Sequence, residues 1–263
     1  MFPYLESDTW SLGPLTFQTW GTIVAIGFVV GTWIAARRAK KNGLDPKLVW
    51  DMAFWIFLAA MIGSRVFHVL FYDPMYYLAH PMDAFDPRRP GFAIEGGFFA
   101  SAGVFWYFIK KHKLNFYAYA DTLMWGLPWG CGIGRIGCFL IHDHPGTLSN
   151  FVLAVKYPDG KIRHDLGLYL SLVGFSIGLI FLAIDRFVPK EKRSPVLFLG
   201  AFMILDSFSR LGLDFLRTVD VRYLGLTPTQ WFTLPLIAIG IWLLRMKNVS
   251  LFAKEGVEGV VKS

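Results

Sequence analysis

The chain has 263 residues, 54% of them hydrophobic and 17% aromatic, with a formal charge of +7 and a mean hydropathy of +0.45. That composition excludes an ordinary soluble domain and predicts a polytopic membrane protein. The positive balance then reads as topology and affinity for anionic lipid, with no nucleic-acid partner expected. The two cysteines, Cys131 and Cys138, share one apolar run with no C-x-x-C spacing, which excludes a disulfide framework and a structural zinc site.

The first residues, MFPYLESDTW, carry no basic region ahead of an apolar segment, so no cleaved signal peptide is expected. About 20 apolar residues cross a bilayer. Seven stretches qualify, at 15–36, 49–72, 92–109, 117–140, 166–187, 195–215 and 228–246. The fold class expected is therefore all-α, a single membrane domain over 1–263 with a small outer-face loop region. Most of the 26 basic residues fall in the connections after the first, third, fifth and seventh spans, from Arg37 and Arg38 through Lys110, Lys190 and Lys192 to Lys247, Lys254 and Lys262. The opposite side holds fewer, Arg88, Arg89, Lys156, Lys161, Arg163, Arg217 and Arg222. An excess of Lys and Arg marks the cytoplasmic side, which puts the N-terminus outside and the C-terminus inside.

Residues 142–165 form the longest outer connection, and FVLAVKYPDGKIRHD alternates around a Tyr-Pro-Asp-Gly turn, which predicts a small β-hairpin. The final EGVEGVVKS reads as a frayed tail.

Three arginines sit within or at the ends of spans: Arg65, Arg135 and Arg210. A cation at hydrocarbon depth costs several kcal/mol and marks a functional site by default. All three fall in the outward half of the topology, where one anionic headgroup would satisfy them. Each has a structural alternative. Arg65 can snorkel outward, and Arg210 has Asp206 and Asp214 at i−4 and i+4 for an intrahelical pair. Arg135 has no acid nearer than Asp143, so its alternative is a tight helix crossing with a distant carboxylate. It lies in GLPWGCGIGRIGCFLIHDHPG (126–146), where Gly130, Gly132, Gly134 and Gly137 let a helix or a ligand approach the backbone.

These residues resemble the prolipoprotein diacylglyceryl transferase family. The likeness rests on Gly134-Arg135-Ile136-Gly137-x-Phe139 with Gly146 beyond. In the same order come Leu12-Gly13-Pro14 with Trp20-Gly21, Gly63-Ser64-Arg65, Glu95-Gly96-Gly97, Asp121, Arg163-His164 before Tyr169, Arg210 with Phe215-x-Arg217, and Gln230 with Pro235. The resemblance covers nearly the whole chain. It implies a transferase of the bacterial inner (plasma) membrane, multi-pass, with its active site facing the outer leaflet. Its substrates would be phosphatidylglycerol and the lipobox cysteine of a prolipoprotein signal peptide, and no cofactor is expected. Arg135 and Arg210 would contact phosphate, with Arg65, Gly134, Gly137, Gly146, Ser101 and Trp20 also on the substrate side. Asp143 takes the position of the signature's acidic residue.

Departures accompany the likeness. The family places asparagine where this chain has Cys138, and a third-span histidine where Ser101-Ala102-Gly103 stands; a first-span tyrosine corresponds to Trp20. In exchange the chain offers His142 and His144 around Asp143, and His164-Asp165. Asp143, His142, His144 and Cys138 are accordingly the candidate catalytic residues. His142 lies four residues after Cys138, so a continuing helix would put them on one face as a Cys–His pair. A soft metal held by Cys138, His142, His144 and His164 is an alternative, and backbone capping by the histidines another. At the level of function, the alternatives to standard transfer are a divergent paralogue acting on another acceptor or through a Cys/His site, and a phospholipid-binding or transport protein without catalysis.

Overall fold

A computed structural model describes residues 2–86, 91–189, 193–218 and 222–245. Arg88, Arg89, Lys190, Lys192, Lys247, Lys254 and Lys262 of the charge pattern, and the 255–263 tail, lie outside the described residues. The elements run β1 (Thr9–Leu12), β2 (Leu15–Gln18), α1 (Thr19–Lys41), α2 (Pro46–Phe71), a short α3 (Pro74–Ala79) and α4 (Ile94–Lys111). They continue with α5 (Phe116–Ile141), β3 (Pro145–Leu148), β4 (Val155–Lys156), β5 (Ile162–Asp165), α6 (Leu166–Phe187), α7 (Leu197–Leu213) and α8 (Pro228–Arg245). The protein is mostly helical, and a helix overlaps each expected span. By length and composition α1, α2 and α6 are apolar enough to cross a membrane.

Two compact units emerge, and the division falls inside α5, after Tyr119. In the unit of residues 43–119, α2 starts at Pro46 with Asp45 as its cap, the carboxylate accepting from the Lys47 amide at 2.8 Å. Helices α2 and α4 pack antiparallel through glycine. A side chain on Gly96 would meet the Gly63 carbonyl at 2.3 Å, and one on Gly97 the Ala60 carbonyl at 3.2 Å. The Ser101 hydroxyl reaches the Ile56 carbonyl at 3.5 Å in the same seam.

The other unit is built on α5. Against α1, Gly126 and Gly130 face Gly31 and Gly27; a Cβ on Gly126 would lie 2.1 Å from the Gly31 carbonyl. Against α6, Gly132 faces Gly174, and the Ser171 hydroxyl donates to the Gly132 carbonyl at 2.8 Å. Without a hydrophobic force between helices in lipid, such close backbone contact is what holds them. Helix α7 begins on a carboxylate from another helix: Asp121 Oδ1 accepts from the Phe198 and Leu199 amides at 2.7 and 2.9 Å. At α8, Thr227 and Gln230 cap each other reciprocally, at 2.9 and 3.1 Å, ahead of Pro228 at the first helical position. The Gln230 amide also donates to the Leu211 carbonyl at 2.8 Å, tying α8 to the end of α7. Near the C-termini of α1 and α6, Asp185 collects Arg38 at 2.9 Å and Arg193 at 2.6 Å.

Two features differ from expectation. Residues 15–18, assigned to the first span, instead pair with Thr9–Leu12 as a hairpin around Gly13, whose φ of 62° suits glycine. The expected hairpin at 155–165 forms, with Val155 opposite Arg163 and Lys156 opposite Ile162, but β3 adds on the far side of β5 to give the order β3-β5-β4. The N-terminal segment crosses this sheet end: the Phe2 amide donates to the Ala154 carbonyl at 3.0 Å and the Ser7 amide to the Leu140 carbonyl at 2.9 Å.

Candidate active site

The last turns of α5 carry Arg135, Gly137 and Cys138, and the helix stops at Ile141 because His142 takes a left-handed φ of 49°. That reversal feeds Asp143 and His144 back toward the turn just left. The Cys138 thiol, an Asp143 carboxylate oxygen and a His144 ring nitrogen all lie within 4.8 Å of one another. His144 Nδ1 touches the Asp143 carboxylate but lacks hydrogen-bond geometry, and it is buried with no hydrogen-bond partner among the described residues. One guanidinium nitrogen of Arg135 points at Cys138 Sγ, 3.8 Å away. Gly137 is glycine because Trp20 Cα and its carbonyl lie 3.3 Å from where a Cβ would sit. Trp20, Arg135, Gly137, Cys138, Asp143 and His144 thus converge. Among the described residues Arg135 has no carboxylate within ion-pairing distance.

Arg210 is held differently. Its Nε donates to Asp206 at 2.7 Å, the intrahelical pair that its spacing allows, and its side chain is 18% exposed. Gly134 leaves its face open, with only Val24 near 4 Å. Gly146 is packed against His164 Cβ and the Leu216 carbonyl, both 3.0 Å from where a methyl group would sit. Beside it, Gly146, Thr147, Lys161, Arg163 and Thr218 line a groove of about 390 Å³.

His142 does not pair with Cys138, because the helix that would align them ends first. Its Nδ1 bonds Asp165 Oδ2 at 2.6 Å, its Nε2 faces the Leu5 carbonyl at 3.1 Å, and Tyr4 stacks on the ring at 4.1 Å. Both ring nitrogens are thereby engaged within the protein. Asp165 also accepts from the Tyr157 hydroxyl at 2.9 Å and from the Leu168 amide at 3.1 Å, which makes it the cap of α6. Burial and the Asp165 charge raise the Tyr157 phenol, keeping it a donor. His164 bonds the Tyr169 hydroxyl at 2.7 Å, and burial lowers its pKa. Neither His142 nor His164 belongs to the Cys138 cluster.

In the other unit, the Arg65 guanidinium donates to the carbonyls of Asp83 at 2.8 Å and of Ala84 and Gly91 at 3.0 Å, so it organises the loop after α3. Sequence reasoning does not group Asp165, Tyr157 and Tyr4, because a turn and a strand or most of the chain separate them. The one local signal is Asp165 standing directly before an apolar run, the usual place for a helix cap.

Fold and site together define a polytopic helical membrane protein with a thiol, an imidazole, a carboxylate and a guanidinium gathered at the end of one helix. The sequence profile of the prolipoprotein diacylglyceryl transferase family matches residues 8–246. A phosphatidylglycerol–prolipoprotein diacylglyceryl transferase of Nitratidesulfovibrio vulgaris is 32% identical, across 93% of this chain and 95% of its own length. Proteins of the same name from Chromohalobacter salexigens and Francisella tularensis are 29% and 28% identical, each over 92% of this chain. The chain belongs to the prolipoprotein diacylglyceryl transferase family, and is an enzyme of the transferase class.

Proposed function

We propose that this protein moves the diacylglyceryl group of phosphatidylglycerol onto the lipobox cysteine thiol of a prolipoprotein, at the outer leaflet of the bacterial inner membrane. The observation that carries this is Arg135: a guanidinium with no carboxylate partner among the described residues, pointed at the Cys138–Asp143–His144 cluster. In the reaction the acceptor thiol loses its proton and the sulfur attacks the glycerol methylene carbon bonded to phosphate. A C–S bond forms, the C–O bond breaks, and glycerol phosphate departs with the electron pair. Cations must hold the phosphate as charge grows on the leaving group, which is the role assigned to Arg135 and Arg210. Asp143 and His144 are the groups assigned to making the acceptor thiolate. Gly134 keeps the backbone clear for the lipid, and Gly137 lets Trp20 close in as one wall. His142 holds the loop in place in this reading, supported by the contacts of both ring nitrogens with Asp165 and Leu5.

The test is mass spectrometry of a lipobox peptide after incubation with phosphatidylglycerol vesicles and the purified protein. The expected result is a diacylglyceryl mass gain on the cysteine, with glycerol phosphate released in equal amount. Losing one such cation typically lowers turnover by about a hundredfold or more, so Arg135→Ala should nearly abolish the gain. Lipid binding without any mass gain, in the native protein as in the variant, would leave only a binding protein.

A further inference from the structure

We propose that Cys138, Asp143 and His144 bind a zinc ion whose open fourth position takes the incoming acceptor thiol as thiolate. This rests on the transfer reaction above and names how its nucleophile is made. The donor set is one thiol, one imidazole and one carboxylate, with ligand atoms within 4.8 Å of one another. Tetrahedral Zn²⁺ with bonds of about 2.0–2.3 Å sets its ligand atoms about 3.3–3.7 Å apart, so binding separates the touching Asp143 and His144 atoms and draws the sulfur in, and a catalytic zinc uses three protein ligands with one position open. Imidazole and thiolate together favour zinc over magnesium or calcium.

A second observation points to the same place. His144 Nδ1 is buried against the Asp143 carboxylate without forming a hydrogen bond, and neither side chain pairs with any other described residue. Around the thiol, an N–H group of Arg135 faces Cys138 Sγ. Such outer donors orient and stabilise a metal-bound thiolate. The charges also balance, since a thiolate and a carboxylate offset the dication and leave Arg135 for the phosphate. The left-handed turn at His142, fixed by the Asp165 pair, sets the two loop ligands beside the helical one.

The chemistry follows from the acceptor. A free thiol has a pKa near 8.5 and is mostly protonated at neutral pH, whereas a thiol on Zn²⁺ is deprotonated outright. The proton leaves to solvent, the zinc-bound sulfur forms the C–S bond as the C–O bond to phosphate breaks, and the metal's oxidation state is unchanged.

The experiment uses the full chain in detergent or nanodiscs, purified without chelator, loaded with Zn²⁺ or Co²⁺ and desalted. Expected are one equivalent of metal by mass spectrometry and, for the cobalt form, a thiolate-to-metal charge-transfer band that disappears in Cys138→Ser. His144→Ala should lose the metal too, whereas Arg135→Ala should retain it while losing transfer. That contrast separates the two ideas, because metal retained without transfer in the native protein overturns the reaction alone. Native protein with no bound metal and no charge-transfer band, or metal-stripped protein that transfers lipid at the full rate, overturns the zinc site.

Discussion

Asp165 serves three donors at once: the His142 ring, the Tyr157 hydroxyl and the Leu168 amide. It is 1% exposed, so none of these can turn to water in its absence. Leaving a buried donor unsatisfied costs about 1–3 kcal/mol, and Asp165→Ala should lower the thermal midpoint in detergent far more than Asp143→Ala, whose side chain is half-open. Equal midpoints for the two variants would refute the network. His164 gives a pH prediction. Burial lowers its folded pKa below the ordinary value near 6.5, so the folded state favours the neutral ring. Its contribution is complete above about pH 6.5 and declines as the pH falls below that value, because the unfolded chain then binds a proton that the native one resists. His164→Gln should flatten the loss of stability between neutral and mildly acid buffer relative to the parent. Arg135 is legible in the sequence because a lone cation in an apolar run is conspicuous. The fate of His142 is not, since nothing local says that α5 ends one residue before it.

At the scale of elements, hydropathy locates every long helix, because a span must be apolar over a fixed length whatever it packs against. It cannot say which glycines are contact points. The structure separates them. Gly126→Ala would push a methyl to 2.1 Å from the Gly31 carbonyl, whereas Gly103→Ala meets nothing within 4 Å. Overpacking of this kind costs about 1–3 kcal/mol, and alanine at an open helical site gains up to about 1 kcal/mol. Gly126→Ala should therefore destabilise the protein while Gly103→Ala leaves it unchanged or slightly firmer, as read by thermal unfolding of the two variants side by side. The reciprocal cap at Thr227 and Gln230 is legible as T-x-x-Q before an apolar run; Thr227→Ala should cost about 1 kcal/mol. The β1–β2 hairpin is not, because Leu15 and Phe17 extend the apolar run that follows and their exposure is a tertiary outcome.

For the whole molecule, the question is which side of the membrane the site faces. Bonds from Phe2 to Ala154 and from Ser7 to Leu140 place the N-terminal segment and the β3–β5 sheet on one side, whichever side it is. The cluster of Cys138, Asp143 and His144 adjoins that sheet, so the N-terminus and the candidate site share an orientation. Charge chooses between the two options. The α1–α2 connection carries Arg37, Arg38, Lys40, Lys41 and Lys47, while no basic residue precedes α1, and the positive-inside rule sends the N-terminus out. Ser11→Cys and Ser149→Cys should then each react with a membrane-impermeant thiol reagent in intact spheroplasts, and Asn42→Cys only after permeabilisation. Cys131 and Cys138 provide the background, read from the parent protein. The reverse labelling pattern would turn the cluster toward the cytoplasm, where a thiol on the exported part of a secretory precursor never arrives. A prolipoprotein acceptor therefore requires this orientation, and a reversed one would exclude that acceptor even with the zinc ion and Arg135 in place.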